Sequence, residues 1–340
     1  MIRGFFLLGV MFLSACSAPL EPSGPDQLWA QISMGDGHTC LLDDQGRIGC
    51  FGANSRGQLG VGRGEQPTAP VLLPVGSGFT DVAAGAYHTC AIGPAGGVWC
   101  WGANDMGQLG LGDRADRDLP VRLDLPGRFL NVSGGLAHTC ATRVDGVALC
   151  WGSNSHGQLG IGLSEPGPFG PTVVEGGWAS VAAGQSHSCG QDRTGTPACW
   201  GWNEWAQLGT GTRVSTVVPS RVASPEPLLG PAAADTYSCA LDPRARLLCW
   251  GGGVAGFPIA GEGPAVGAPI QWDDRAVRAF TVFPSGVCAV LVEGSMVCRG
   301  PGAGRQGLDA WASGVKDASD VGGGLGQVCV IVGPGRLDCF

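Results

Sequence analysis

The sequence predicts an all-β fold in which seven similar units stand round a common axis. Fourteen cysteines fall into seven pairs, and the two members of each pair are ten residues apart. Successive pairs begin 50, 50, 49, 50, 49 and 41 residues apart. The stretch HTCATRVDGVALCWGSNSHGQLGIG, from His138 to Gly162, has near copies that begin at His38, His88 and His187. Glycine and proline together make up 85 residues, a quarter of the chain, but the glycines recur in register with this repeat, which indicates turn positions and not disorder.

Each cysteine pair fits one β-hairpin closed by a disulfide. In an antiparallel hairpin Cys140 faces Cys150 when the turn centres on Asp145, and opposed Cα atoms about 4.5 Å apart lie at the short end of the disulfide range. The three-residue loop favours a left-handed glycine at its third position, where six repeats have glycine and the fifth has Ala245. We therefore predict the disulfides Cys40 to Cys50, Cys90 to Cys100, Cys140 to Cys150, Cys189 to Cys199, Cys239 to Cys249, Cys288 to Cys298 and Cys329 to Cys339.

Metal binding is the alternative use of these cysteines, because a histidine precedes the first cysteine by two residues in four repeats. In chain order this position holds His38, His88, His138, His187, Tyr237, Gly286 and Gln327. Zinc sites usually have closely spaced C-x-x-C ligands, and three repeats lack the histidine. Disulfides are therefore favoured, and we expect the histidines to form hydrogen bonds within their own units.

Four strands are predicted in each unit. In the second unit they are FTDVAAG, HTCAI, VWCWG and, after a long loop, PVRLDLP. The first strand of most units is rich in small residues, as in Val82-Ala83-Ala84-Gly85. Sheets that converge on one axis leave little room for side chains, so this strand is predicted to be innermost.

The pattern GxxHTCAxxxxGxVxCWGxNxxGQLGxG at a period near 50 resembles the repeat of the regulator of chromosome condensation family. The resemblance implies a seven-bladed β-propeller, and the strands and cysteine pairs described above then give it four-stranded antiparallel blades with one disulfide in each. It covers residues 31–340 and is strong through Gly211 but weak afterwards. Phe340 follows Cys339 directly, so we expect residues between Ala18 and Trp29 to pair with the last unit and close the ring.

The N-terminus predicts export and a lipid anchor. Arg3 is followed by an apolar run from Phe5 to Leu13, which even counted to Ala15 spans about 16 Å as a helix and is too short for a bilayer core of about 30 Å. The sequence LSAC, which ends at Cys16, resembles the lipobox of bacterial lipoproteins and implies that Cys16 is lipidated. A plain secretory signal with an incidental cysteine is the alternative. We expect a signal peptide over residues 1–15, a Pro-rich tether over 16–30 and the propeller over 31–340.

Charge and motifs exclude several functions. The formal charge of −8, with Lys316 as the single lysine, disfavours nucleic acid as a partner. Family resemblance implies exchange activity on a nuclear GTPase, but an exported lipoprotein would not meet such a partner, so no GTPase is expected. Sequence motifs of serine hydrolases, P-loop proteins and zinc proteases are absent.

Two weaker site patterns remain. GQSHSCG, which contains His187 and Ser188, suggests a Ser-His pair, but both residues occupy repeat positions. GDRADRD offers Asp113, Asp116 and Asp118 to calcium, although a solvated charged loop is the default interpretation. We expect no cofactor and no metal.

One face of the propeller is the predicted binding surface, because its turns and loops vary within a fixed frame. The residues predicted to form it are Asp36, Tyr87, Leu136, Gln185, Asp235, Arg63, Arg117 and Phe169. Drift of unconstrained loop residues would give the same variation.

The leading hypothesis is a lipid-anchored propeller of the bacterial cell envelope, periplasmic or surface-exposed, that binds a protein or glycan and has no chemistry of its own. One alternative is a polysaccharide-active enzyme with Asp36 and Asp235 at the channel mouth. The other is an envelope structural protein.

Overall fold

The computed structural model describes residues 28–165, 170–252, 266–284, 286–299, 315–324 and 327–340, and these form a β-propeller of antiparallel sheets round a central channel. The first two sheets contain β1 (Trp29–Met34), β2 (His38–Asp43), β3 (Ile48–Gly52), β4 (Val71–Leu72), β5 (Asp81–Ala84), β6 (His88–Ile92), β7 (Val98–Gly102) and β8 (Arg117–Arg122). The next two contain β9 (Phe129–Gly134), β10 (His138–Arg143), β11 (Ala148–Gly152), β12 (Thr172–Val174), β13 (Trp178–Ala183), β14 (His187–Asp192), β15 (Pro197–Gly201) and β16 (Thr216–Arg221).

The remaining strands form two further sheets. They are β17 (Leu229–Ala233), β18 (Tyr237–Leu241), β19 (Arg246–Gly251), β20 (Val266–Phe283), β21 (Gly286–Leu291), β22 (Met296–Arg299), β23 (Ala318–Gly324), β24 (Gln327–Val332) and β25 (Arg336–Cys339). A turn of 3-10 helix, Pro94–Gly96, connects β6 to β7. No helix in the described ranges is both long enough and apolar enough to cross a bilayer.

The prediction of seven separate four-stranded blades is wrong. The described residues form six sheets, of which four have four strands, one has six and one has three. The six-stranded sheet arises because the 18-residue strand β20 pairs with β19 through its first part and with β21 through its second part. The sequence from Ile270 to Phe283 has no glycine or proline to end a strand. At the corresponding place after β8, Pro126 and Gly127 interrupt the chain before β9.

The cysteine pairs close seven hairpins as the spacing predicts. Each disulfide joins directly opposed residues of two adjacent strands, with Cα atoms 4.0–4.2 Å apart. The third loop position has positive φ throughout, from +73° at Gly96 to +105° at Gly335, and even Ala245 adopts +60°. The predicted three-residue loop with a left-handed third residue is therefore confirmed.

The core lies between neighbouring sheets, so both faces of the central strands are buried. Ile92 and Val98 of the second sheet, for example, pack with Phe129 and Trp151 of the third sheet in one cluster. The innermost strands meet round the channel, where the backbone nitrogen of Ile32 in β1 donates a hydrogen bond of 3.0 Å to Asp320 in β23. This contact joins the last sheet to the first and closes the ring.

The predicted ring closure by residues between Ala18 and Trp29 falls mostly outside the described residues. Of this segment the structure describes Leu28 and Trp29, and Trp29 begins β1, the innermost strand of the first sheet. Residues 18–27 are not described. The three described strands of the last sheet are β23, β24 and β25.

Buried histidines join adjacent sheets through a repeated arrangement that we call the inter-sheet triad. His138 Nε2 lies 2.9 Å from Ser188 Oγ in the next sheet, and Ser188 Oγ donates to the carbonyl of Gln158 at 2.8 Å. Trp200 Nε1 donates to the same carbonyl at 2.9 Å. Because the single hydroxyl proton of Ser188 is used on Gln158, His138 must donate from Nε2.

The same triad stands at three other junctions. Its members there are His38 with Thr89 and Gln58, His88 with Thr139 and Gln108, and His187 with Ser238 and Gln207. The expectation that these histidines bond within their own units is wrong, because the sequence period does not show which sheet an inter-sheet side chain contacts. His187 and Ser188 belong to different triads and do not form a Ser-His pair.

Acid should destabilise the fold through these histidines. Burial lowers the pKa of His138 from 6.5 to about 3, and within the described residues its Nδ1 has no partner to receive a proton from it. The unfolded chain binds a proton near pH 6.5 and the folded chain does not, so the free energy of unfolding falls as pH drops from 6.5 toward 3. The expected loss is about 1.4 kcal/mol per pH unit for each histidine.

The variant His138→Gln should make the dependence on pH less steep. Urea unfolding of the wild type and the variant at pH 7.5, 6 and 5 checks this. The carboxylates contribute equally to both proteins, so their contribution cancels in the difference between the two free energies of unfolding. Parallel curves over this range would contradict the assignment of a neutral buried imidazole.

Candidate binding face at the channel mouth

Two kinds of connection emerge on the same face of the propeller, which we call the mouth face. The turns between the first and second strands of the sheets lie beside the loops that follow the third strands. The backbone nitrogens of Ala53, Ala103, Ser153 and Trp202 in these loops donate to the carbonyls of Gly37, Tyr87, Ala137 and Ser186 in the turns. This repeated bond fixes a backbone frame into which different side chains are inserted.

A cavity of about 100 Å³ lies at the centre of the mouth face. Its rim is a chain of backbone hydrogen bonds in which each turn donates to the next sheet: Asp36 to Ala86, Ala86 to Gly135, Leu136 to Gly184 and Gln185 to Ala234, at 2.9–3.3 Å. A second cavity of about 210 Å³ continues along the channel between the innermost strands. Small residues of these strands leave the channel open.

The rim requires glycine where neighbouring turns meet. A Cβ atom added at Gly135 would lie 2.1 Å from the carbonyl oxygen of Gly184 and 2.8 Å from the His138 ring. Gly35, Gly85 and Gly184 are similarly crowded by the next backbone carbonyl and by their own histidine. The glycine in GxxH therefore permits both the close approach of adjacent turns and the burial of the histidine.

The residues predicted for the binding face have different positions. Asp36, Leu136, Gln185 and Asp235 all line the central cavity. Tyr87 is exposed next to the rim residue Ala86. Arg63, on a peripheral loop, and Arg117, the first residue of β8, do not line the cavity, and Phe169 lies outside the described residues.

The two carboxylates at the cavity influence each other. Partial burial raises the pKa of Asp36, and the negative charge of Asp235 raises it further. Partial burial also raises the pKa of Asp235. Within the described ranges neither carboxylate has a hydrogen bond or an ion pair, so both are available to a partner.

The peripheral aspartates are instead held by arginines. Arg56 donates two hydrogen bonds to Asp116 at 2.8 and 2.9 Å, and Arg63 donates another at 3.1 Å. Arg117 donates to Asp113 at 2.6 Å. These bonds keep the pKa of both carboxyls below its usual value. In the part of the chain that the structure describes, no group of three or more His, Cys, Asp or Glu could share a metal ion.

Aromatic side chains on the third and fourth sheets were missed by the sequence analysis. The rings of His156 and Trp202 lie 5.9 Å apart, centroid to centroid. Trp202 donates its backbone N–H to Ser186, the neighbour of the rim residue Gln185.

Exposed apolar side chains continue round the face: Met106 (48% exposed), Tyr87 (47%), Trp205 (41%) and Leu136 (37%). The available signal was the variation of Arg56, Met106, His156 and Trp205 at one position of NxxGQLG.

A family model agrees with this architecture. The model described as RCC1-like domain matches residues 14–273, which is more than half of the 340-residue chain. The chain belongs to the RCC1-like domain family. RCC1-like propellers are generally protein-binding modules and typically non-catalytic.

Solved structures share the fold of this RCC1-like domain. Human WBSCR16 is 20% identical with a TM-score of 0.75, and the match covers 89% of this chain and 86% of that chain. Yeast RCC1 (Prp20) bound to Kap60 is 18% identical with a TM-score of 0.73, covering 91% and 78%. Prp20p from Saccharomyces cerevisiae, which was studied for binding to Gsp1p and histones, is 20% identical with a TM-score of 0.71, covering 91% and 81%. No curated protein matches the chain.

Substitution Gly135→Ala should disrupt the rim. The added methyl group would collide with the carbonyl of Gly184 and with the His138 ring, so we expect a loss of about 2 to 3 kcal/mol in the free energy of unfolding. Gly177→Ala is the matched control, because a Cβ atom there meets nothing within 4 Å. Urea unfolding of the two variants measures the difference. Equal stability would show that the turns are free to move apart.

Proposed function

We propose that this RCC1-like domain is a lipid-anchored, extracytoplasmic module that binds another protein through its mouth face. The observation that carries the proposal is the mouth face itself. Its backbone frame is repeated and hydrogen-bonded, while the inserted side chains change from carboxylate to aliphatic to aromatic. Such a combination of rigid frame and varied side chains suits recognition of one partner.

The cysteines support an extracytoplasmic location. Seven cross-strand disulfides persist in oxidising compartments and are rare in the reducing cytosol. The proposed export signal would direct the chain to such a compartment, and lipidation at the LSAC sequence, Leu13–Cys16, would anchor it to a membrane. The proposed partner is thus a protein of the cell envelope or its surroundings.

The position of β1 supports presentation of the mouth face away from the membrane. The carbonyl of Leu28 accepts a hydrogen bond of 3.1 Å from Asp44 in the turn between β2 and β3. That turn is on the face opposite the mouth. An anchor at Cys16, twelve residues before Leu28, would join the domain on this opposite face and reach at most about 40 Å.

Gsp1p and histones, which Prp20p was studied for binding, are not carried over as partners. A protein in the proposed location would not meet a nuclear GTPase. A formal charge of −8 also opposes binding to a nucleic acid. The fold is shared with these relatives, and the partner is set by the mouth-face side chains.

A polysaccharide-active enzyme is the second candidate, because Asp36 and Asp235 line one cavity and have raised pKa values. Size argues against it. Small-molecule sites usually enclose about 300–1,000 Å³, whereas the mouth cavity encloses about 100 Å³ and only together with the channel cavity of about 210 Å³ reaches the lower end of that range. A cavity of this size suits one inserted side chain better than a sugar with its scissile bond.

The anchor is tested with Cys16→Ser in the full chain, expressed in a bacterial host. The wild type should enter the detergent phase on Triton X-114 partitioning, and the variant should remain in the aqueous phase because it lacks acyl chains. Intact mass should show the acyl chains on the wild type alone. A wild type without added acyl mass would refute the anchor.

The binding face is tested by crosslinking the full chain in mild detergent to envelope proteins, followed by mass spectrometry. Leu136→Arg places a bulky charge at the cavity and should reduce capture of the partner about tenfold. Leu130→Arg is the control, because Leu130 is also exposed (54%, against 37% for Leu136) but lies near the start of β9 on the opposite face. Equal capture by both variants would refute binding at the mouth.

A further inference from the structure

The mouth face has an uneven distribution of charge. On its first and second sheets, Asp113 and Asp116 are neutralised by Arg117, Arg56 and Arg63 at short distances. At the central cavity, Asp36 and Asp235 have no cation among the described residues, and their negative charges repel each other. The negative charge at the cavity is thus not balanced by a cation of the described residues.

The walls of the cavity are apolar. Ala84, Ala86, Leu136 and Phe283 line it together with the two aspartates. A long side chain with an aliphatic stem and a charged end would bury the stem against these walls and place its end beside the carboxylates. Lysine and arginine have this construction.

Aromatic residues lie next to the residues that line this cavity. Tyr87 follows the rim residue Ala86, and Trp202 contacts the turn that contains Gln185. Exposed aromatic side chains supply both hot-spot area in protein interfaces and attraction for cations. They extend the surface beyond the acidic pair, and they favour the same class of partner.

We propose that the partner of the mouth face inserts an arginine or lysine side chain into the cavity between Asp36 and Asp235, with the tyrosine and tryptophan rings of the mouth face packed round the inserted segment. This inference rests on the proposed binding function and names the chemistry of its partner. The inserted cation supplies the positive charge that the domain does not, so recognition depends on two otherwise uncompensated carboxylates.

Charge argues against the two other occupants of this face. A second copy would bring the same face, with the same acidic pair, into a symmetric contact, and like charges would oppose each other. A neutral glycan would leave both carboxylates partly buried and unpaired, which costs free energy. A basic protein segment has neither cost.

The test uses the full chain in mild detergent and two fluorescent twelve-residue peptides that differ only in a central Arg-Arg or Gln-Gln. The arginine peptide should bind more tightly, by fluorescence anisotropy, and its affinity should fall as salt rises from 50 to 200 mM. Asp36→Asn with Asp235→Asn should weaken its binding about tenfold. Lowering the pH should also weaken it, since the two carboxyls have raised pKa values and lose their charge as they take up protons.

The matched control is Asp44→Asn with Asp124→Asn, which also removes two negative charges, but from the opposite face. Circular dichroism and thermal unfolding check that both double variants fold. If the control weakens binding as much as the mouth variant, or if the glutamine peptide binds equally well, the inference is overturned, because net charge or shape alone then accounts for binding.

Hydrogen exchange with the arginine peptide provides a second readout. Protection should appear at residues 34–37, 134–136 and 233–236. Protection confined to residues away from the mouth face would overturn the inference. If the crosslinked partner is lost with Leu136→Arg but retained by the Asp36 and Asp235 double variant, the proposed function stands and the inserted cation is refuted. If Leu136→Arg loses no partner, the proposed function itself fails.

Discussion

The hydrogen bond that each buried histidine donates to a hydroxyl in the next sheet explains much of the repeat. It requires a glycine three residues earlier, because His138 occupies the space where a side chain at Gly135 would lie. It also requires a serine or threonine before the first cysteine of the next repeat, and a carbonyl from the GQLG loop to receive the hydroxyl proton. Tryptophan after the second cysteine donates to that same carbonyl. The residues that recur in GxxHTC, CWG and GQLG along the chain thus all take part in one contact between sheets.

The disulfides act within sheets and the triads act between them. Each disulfide connects the two central strands of a hairpin, while each triad connects one hairpin to the loop and hairpin beside it. A glycine-rich chain loses more backbone entropy on folding than an average chain. The disulfides within sheets and the hydrogen bonds between sheets offset this loss where few large side chains pack near the axis. The backbone rim that results is rigid enough to carry side chains as different as Asp36, Leu136 and Gln185 at equivalent positions.

Local patterns in the sequence were sufficient for the propeller, the hairpins and the cysteine pairing, because these depend on spacing along the chain. The number of sheets was not predictable from the cysteines, since β20 joins two hairpins without disturbing their spacing. The histidine contacts were assigned to the wrong sheet, because the direction of a side chain between two sheets has no local signature. At the mouth, Asp36 and Asp235 were predicted together, because both lie in the turns before the aligned His38 and Tyr237. Trp202 and Trp205 were not predicted, because they lie in the loop after the third strand β15.

The fifth repeat breaks the series of triads, since Tyr237 stands where the earlier repeats have histidine. Its hydroxyl donates to the carbonyl of Phe283 at 2.9 Å, and burial raises its pKa above the usual value. A phenol of this kind gains no proton in mild acid. The ring therefore has one acid-labile arc, in which four histidine junctions run from the first sheet to the fifth, and one arc whose described junctions contain no histidine. In mild acid, loosening would begin at the first arc, and the shared strand β20 would hold the other half together the longest.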